Sequence, residues 1–139
     1  MKIIFVCHGS ICRSPAAEYV FKSLNKEIEV ISRALSYEEI GNDIYPPMKR
    51  ELLKNNIPFS FHPATYLTDK EFQECDYLFY MDEENEYLLR RRFGNNKKIL
   101  PIHQFTPSID ELEDPWSTGR YNKVLSEITL CVKDIIKNI

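Results

Sequence analysis

Cys7 and Arg13 lie six positions apart in the segment Val6-Cys-His-Gly-Ser-Ile-Cys-Arg-Ser-Pro15, a short polar turn around one glycine. A sulfur nucleophile and a planar cation are thereby brought into one loop. Six backbone N–H groups, from His8 through Gly9, Ser10, Ile11 and Cys12 to Arg13, can curl around a tetrahedral anion as a nest. A helix starting immediately afterwards would aim its unpaired N–H groups and positive dipole end at the same point. Arg13 adds a fork able to hold two phosphoryl oxygens at once. Such surroundings favour the thiolate of Cys7 over the thiol. The chemistry this assembles is attack on phosphorus, with a phosphocysteine intermediate whose equatorial oxygens are held by the loop amides and Arg13. Ser14 is placed to donate to the thiolate as it departs. The spacing alone also fits a buried strand-end cysteine beside a surface arginine, so the argument rests on the elements around it.

Those elements read as follows. Lys2–Cys7 is a continuous apolar run and predicts a parallel strand buried on both faces. Ser14-Pro15 predicts a helix start, with Ser as N-cap and Pro at the first helical position. Ala17, Val20, Phe21 and Leu24 recur on one face of that helix. A second strand is expected near Glu29–Ser32 and a helix over Pro46–Asn55, stopped before Ile57-Pro58. Tyr77–Met81 reads as a third strand, Asp82 as a cap for the charged helix Glu83–Phe93, and Lys98–Pro101 as a fourth strand. The stretch from Ile102 to Gly119 reads as loop. Tyr121, Val124, Leu125, Ile128, Cys131, Ile135 and Ile139 mark a closing amphipathic helix. Alternating strands and helices predict an α/β three-layer sandwich with a four-stranded parallel sheet, its ligand site beyond the carboxyl ends of the strands. Cys7 and Asp82 both fall at such ends, and the phosphate-binding loop follows strand 1. No repeat or linker divides the chain, so residues 1–139 are expected to form a single domain.

Bulk properties narrow the partners. The chain has 139 residues, 43% of them hydrophobic and 28% charged, within the range of water-soluble globular proteins. A formal net charge of −3 argues against broad electrostatic binding to nucleic acid or an anionic membrane. No apolar run approaches membrane-spanning length. With no cleavable leader visible, the expected compartment is the cytoplasm, where the four cysteines would remain reduced. No C-x-x-C pair or zinc-spaced His/Cys cluster is present, so neither a metal nor another cofactor is expected.

A leaving alkoxide or phenolate needs a proton from outside the loop. Asp114, in Glu113-Asp-Pro-Trp116, is the candidate, although Asp-Pro also serves as an ordinary turn.

The segment Cys7-His-Gly-Ser-Ile-Cys-Arg-Ser-Pro15 resembles the signature of the low-molecular-weight protein tyrosine phosphatases. The resemblance continues through Glu38-Glu-Ile-Gly-Asn42, Met48-Lys-Arg50, Asn56-Ile-Pro58, His62-x-Ala64, Tyr80-Met-Asp82 and Glu113-Asp-Pro115. It implies the four-stranded parallel fold, phosphotyrosine-containing proteins as substrates, and inorganic phosphate or vanadate as ligands of the loop. It also implies Asp114 as general acid, Glu39 and Trp116 at the substrate rim, and a bracing role for His62, Asp82 and Ser32 behind the loop. Cys12 is then expected to pack as a small buried thiol and to form a reversible disulfide with Cys7 on oxidation. Cys75 and Cys131 read as core residues.

Three positions depart from the family pattern. Ser10 stands where Asn is usual, and a water would be needed to join it to the bracing network. Glu38 stands where an aromatic often precedes Glu39, with Tyr37 one step earlier. Ser117 replaces the second of two aromatics after Asp-Pro.

Two related activities compete. A protein arginine phosphatase of this fold carries Thr where Ile11 stands, and the apolar Ile11 favours an aromatic substrate. An arsenate reductase would need two further closely spaced cysteines, whereas Cys75 and Cys131 are far apart in sequence. From other classes, a phosphocysteine carrier has no use for Arg13 together with Asp114, and a phosphotyrosine-binding module has no use for Cys7 or Asp114.

Overall fold

The computed structural model describes residues 1–139. In chain order the elements are β1 (Lys2–Cys7), α1 (Arg13–Leu24), β2 (Glu29–Ala34), α2 (Pro46–Lys54), α3 (Asp69–Glu74), β3 (Tyr77–Tyr80), α4 (Glu83–Phe93), β4 (Ile99–Pro101), α5 (Pro115–Thr118) and α6 (Tyr121–Asn138). The four strands form one parallel sheet in the order β2-β1-β3-β4. β1 lies inside, and its unbroken apolar run follows from that position. Ile3, Phe5 and Cys7 project into a core with α1 and α6, while Ile4 and Val6 project into a second core with Phe72 of α3 and Leu89 of α4. Three layers result, as the alternating pattern predicts.

Several local expectations need correction. The first helix begins at Arg13 with Cys12 as its N-cap, and Ser14 does not cap it. The Ser14 hydroxyl bonds within the loop instead, because the nest and Cys7 lie directly above it. Nor does α1 bury a single stripe. Its residues from Arg13 to Phe21 are all buried, sandwiched between the sheet, α6 and the loop, and Leu24 at its end faces solvent. β2 runs two residues further than expected, to Ala34, because β1 pairs with it through Cys7–Ala34.

Two short helices lie in stretches without an expected element. α3 is signalled by a capping box: Thr68 Oγ1 accepts from Glu71 N–H at 3.1 Å, and Glu71 Oε1 accepts from Thr68 N–H at 3.1 Å. α5 is signalled by Asp-Pro itself, with Asp114 at the N-cap and Pro115 at the first helical position. No helix is long and apolar enough to cross a membrane.

Candidate active site

The loop between β1 and α1 is fixed from behind by main-chain bonds. Leu35 N–H donates to the Cys7 carbonyl at 3.1 Å, Ser36 N–H to that of His8 at 3.0 Å, and Tyr45 N–H to that of Ile11 at 2.9 Å. The amides of His8, Gly9, Ile11 and Cys12 donate to no protein acceptor, which is the arrangement of an anion nest. The rim approaches the loop closely at Gly9, where a Cβ would lie 3.1 Å from Cγ of Glu39.

Cys7 Sγ sits at the base of this loop. Ser10 N–H donates to it at 3.2 Å and Ser14 N–H at 3.4 Å, while Ser14 Oγ lies 3.1 Å away. Ser14 Oγ in turn is 3.0 Å from Ser10 Oγ. The two amides stabilise negative charge on sulfur. Cys12, also buried, behaves oppositely: burial, then the neighbouring Cys7, pushes its thiol far above the usual range, so it stays protonated. Of the two, Cys7 is the sulfur on which backbone donors converge.

Arg13 is buried, its side chain only 4% exposed. Its Nη1 donates to Asp82 Oδ2 at 2.8 Å and to the Leu112 carbonyl at 3.0 Å, while Nε and Nη2 have no protein acceptor. Burial opposes its charge, but Cys7 and Asp82 outweigh that and hold it protonated above its already high ordinary value. Asp82 thus has two duties. Oδ2 holds Arg13, and Oδ1 accepts from Asn85 N–H at 2.9 Å as the N-cap of α4.

A cleft of about 280 Å³ opens above the loop, lined by Cys7 to Arg13 on the floor and by Glu38, Glu39, Asp114, Trp116 and Ser117 on the walls. Asp114 is half-buried, and its Oδ1 accepts from Trp116 N–H at 3.1 Å, which orients the carboxylate at the start of α5. Trp116, 65% exposed, forms one aromatic wall. Tyr37 does not form the other. It stacks on Tyr66 with ring centroids 4.1 Å apart and leaves Glu38 facing the cleft. Glu39 Oε2 accepts from Asn42 Nδ2 at 2.7 Å, steadying that rim. The His8 ring lies between two carboxylates, Glu38 Oε2 at 3.1 Å from Nε2 and Glu84 Oε1 at 3.3 Å from Nδ1, neither aligned as a hydrogen bond.

Glu113 is not free to substitute for Asp114. Hydrogen bonds from Lys123, Thr118 and Arg120 lower it to about 2, and it anchors the loop to α6 through Lys123 at 2.6 Å and Arg120 at 2.8 Å.

The bracing network is divided in two, which corrects the expectation of a single one. Ser32 Oγ donates to Glu18 Oε1 at 2.6 Å and lies 3.1 Å from His62 Nε2, and His62 N–H donates to Asp43 Oδ1 at 2.9 Å. No hydrogen bond links this group to Ser10, which is satisfied by Ser14, nor to Asp82, which is satisfied by Arg13 and Asn85. Glu18 is the member that sequence reasoning missed. It is charged yet buried, on the helix directly after the loop, and a carboxylate in the otherwise apolar run Ala16-Ala-Glu-Tyr-Val20 was the available signal. Tyr121 and the Leu112 carbonyl were also missed. Tyr121, pushed up to about 12 by burial and then by Cys12, packs beside Tyr45 behind the loop. A backbone acceptor such as Leu112 O leaves no trace in residue type.

A parallel α/β sheet whose first strand delivers a cysteine into an amide nest, with a buried arginine at the following helix start, defines the class of cysteine-dependent phosphoryl-transfer proteins. The comparisons place the chain more closely. The family model for low molecular weight phosphotyrosine protein phosphatase matches residues 2–139, and the chain belongs to that family. The low molecular weight phosphotyrosine protein phosphatase of Homo sapiens is 36% identical, covering 97% of this chain and 93% of its own. The crystal structure of YfkJ from Bacillus subtilis superposes with a TM-score of 0.94 at 28% identity, covering 100% of this chain and 94% of that one. A structure of the YwlE arginine phosphatase, with a phosphorylated active-site serine, superposes with a TM-score of 0.88 at 25% identity, covering 99% and 95%.

Proposed function

We propose that the protein hydrolyses phosphotyrosine in proteins, and aryl phosphates generally, through a phosphocysteine intermediate on Cys7. The observation that carries this reading is the convergence on one sulfur of the Ser10 and Ser14 amides and the Ser14 hydroxyl, in a cleft that also holds Arg13 and Asp114. The Cys7 thiolate attacks phosphorus in line with the phenolic oxygen. The free loop amides and Arg13 Nε and Nη2 take up the equatorial oxygens, where charge concentrates in the transition state. Asp82 and the Leu112 carbonyl, on Nη1, fix the plane of the guanidinium.

Asp114 gives its proton to the departing phenolate, breaking the P–O bond as the P–S bond forms. The resulting carboxylate then takes a proton from a water that attacks phosphorus, and sulfur leaves as thiolate toward the Ser14 hydroxyl. Inorganic phosphate is the second product, and no cofactor enters these steps. Trp116 supplies an apolar face for the phenyl ring, and Glu38 and Glu39 form the opposite, acidic rim.

Phosphoarginine is the rival substrate, because a structure of an arginine phosphatase superposes well. Ile11, apolar and lining the cleft, favours an aromatic ring over a guanidinium. An arsenate-reductase relay has no support, since neither Cys75 nor Cys131 lines the cleft.

The test is hydrolysis of a phosphotyrosine peptide, a phosphoarginine peptide and a phosphorylated phenol in chelator. Activity on the first and third that is blocked by vanadate and lost in Cys7→Ser supports the reading. Preferential cleavage of phosphoarginine, or activity retained by Cys7→Ser, overturns it.

A further inference from the structure

We infer that the groove between α2 and the start of α6 is a second ligand site, which takes a small phosphate monoester carrying hydroxyl groups, a polyol or sugar phosphate. The groove is open and has a volume of about 440 Å³. Arg50, Glu51 and Lys54 line it from α2, and Gly119, Tyr121 and Asn122 line it where the chain enters α6. None of these six residues lines the catalytic cleft.

Two independent features meet there. The first is a helix end without a cap. α6 is 18 residues long, and Arg120 at its N-cap supplies no side-chain bond to it. The amides of Tyr121, Asn122 and Lys123 donate to no protein acceptor. Three free N–H groups and the positive end of the helix dipole thus lie at the α6 edge of the groove. Arg50, on the opposite edge, is exposed and has no carboxylate within ion-pair distance, and the Lys54 side chain is 74% exposed. Arg120 and Lys123, by contrast, are taken up by Glu113.

The second feature is a buried carboxylate without a donor. Glu51 is 7% exposed, and its shielded Oε2 accepts no hydrogen bond. Lys54 Nζ comes only to 3.6 Å from that oxygen. Buried carboxylates are ordinarily hydrogen-bonded. Glu18, buried to a similar extent, follows that rule, accepting from Ser32 Oγ at 2.6 Å and from Lys22 Nζ at 2.5 Å.

Together these features select the ligand. Two free cations and a helix end outweigh one carboxylate, so the occupant carries net negative charge. Free amides opposite the planar fork of Arg50 suit the oxygens of a phosphate. Glu51 as a carboxylate can only accept, so the same ligand must bring a donor to it. A bare anion brings none and is repelled. An ammonium group would meet Lys54 beside the same oxygen, which leaves neutral hydroxyls as the matching donors. The ring of Tyr121 offers an apolar face to the carbon skeleton.

The experiment is an amide NMR titration of the whole protein with glycerol phosphate and with methyl phosphate, which lacks hydroxyls, each in the absence and presence of saturating vanadate. Glycerol phosphate is expected to shift the amides of Tyr121, Asn122 and Lys123 saturably in the millimolar range, and vanadate should not displace it. Methyl phosphate should bind the same amides roughly three- to tenfold more weakly, the worth of a hydrogen bond to Glu51. Glu51→Met, which removes both oxygens and keeps an unbranched chain, should erase that preference. Arg50→Ala should weaken both ligands about tenfold or more, and it should leave turnover of a phosphorylated phenol within about twofold. Shifts confined to residues 9–12, release of the ligand by vanadate, or equal wild-type affinity for the two esters would overturn the proposal. Binding is read without catalysis, so an inactive wild type would defeat the proposed function and leave this site standing.

Discussion

Replacing Asp82 tests how the cleft holds its cation. The Arg13 side chain is 4% exposed and that of Asp82 19%, with Nη1 and Oδ2 2.8 Å apart. Removing one member of a buried ion pair typically costs about 3–5 kcal/mol, because the remaining charge is left unmatched. Two features reduce that figure: Asp82 is partly solvated, and Arg13 keeps the Leu112 carbonyl at 3.0 Å. About 2–3 kcal/mol is therefore expected for Asp82→Asn, which retains a good N-cap for Asn85 N–H. Asp82→Ala loses that cap as well and should cost about 1 kcal/mol more.

The assay is urea denaturation followed by tryptophan fluorescence and circular dichroism, with and without inorganic phosphate. A bound phosphate supplies Arg13 with the counter-charge that Asp82 no longer gives. The stabilisation by saturating phosphate should thus be at least as large in the variants as in wild type. Turnover should fall more than about tenfold, since the guanidinium plane is no longer fixed. A stability loss below about 0.5 kcal/mol for Asp82→Asn would refute the reasoning, because it would mean Leu112 O and water satisfy Arg13 unaided.

Further outcomes follow from the other polar groups. Asp114→Asn should slow hydrolysis of phosphotyrosine about 10²–10⁴-fold while sparing substrates with strongly acidic leaving groups, as a leaving-group series would show. Glu113→Gln should leave the pH–rate profile between about pH 5 and 8 unchanged in shape. Glu113 is held at about 2, so its contribution is complete above the ordinary carboxylate range and disappears only as pH falls through that value. His62 is pushed below its ordinary value, chiefly by burial. Its neutral form is the one that folds, so stability should decline as pH drops below about 6.5, and His62→Gln should flatten that part of a pH series of urea midpoints. Peroxide inactivation should be reversed by dithiol in wild type and become irreversible in Cys12→Ser, scored by recovered turnover and intact mass.

What the sequence determined by itself is whatever a short segment encodes through local chemistry. The Cys7–Pro15 loop needs a strand before it and a helix after it, and both are written in residues adjacent to it. The strand Lys2–Cys7 was legible because burial on both faces demands an unbroken apolar run, and α6 because its apolar stripe recurs over several turns. Asp114 was legible chiefly through the family resemblance, since Asp-Pro alone also reads as a turn, and α3 was written in Thr68 and Glu71, although a six-residue helix between strands is easily overlooked.

Only the tertiary structure decided which side chains meet across the fold. Asp82 read as a cap or as a brace with His62 and Ser32, and it caps α4 and holds Arg13 because β3 ends beside the start of α1. Tyr37 turns away to stack on Tyr66, so the rim opposite Trp116 is acidic rather than aromatic. Ser14, which reads as a helix cap, bonds Cys7 and Ser10 instead, because the helix begins two residues earlier and the Cys7 sulfur and a second hydroxyl lie within its reach. Such choices depend on distances between segments far apart in sequence or folded tightly in a loop, where residue type states what a group can do but not which partner it finds.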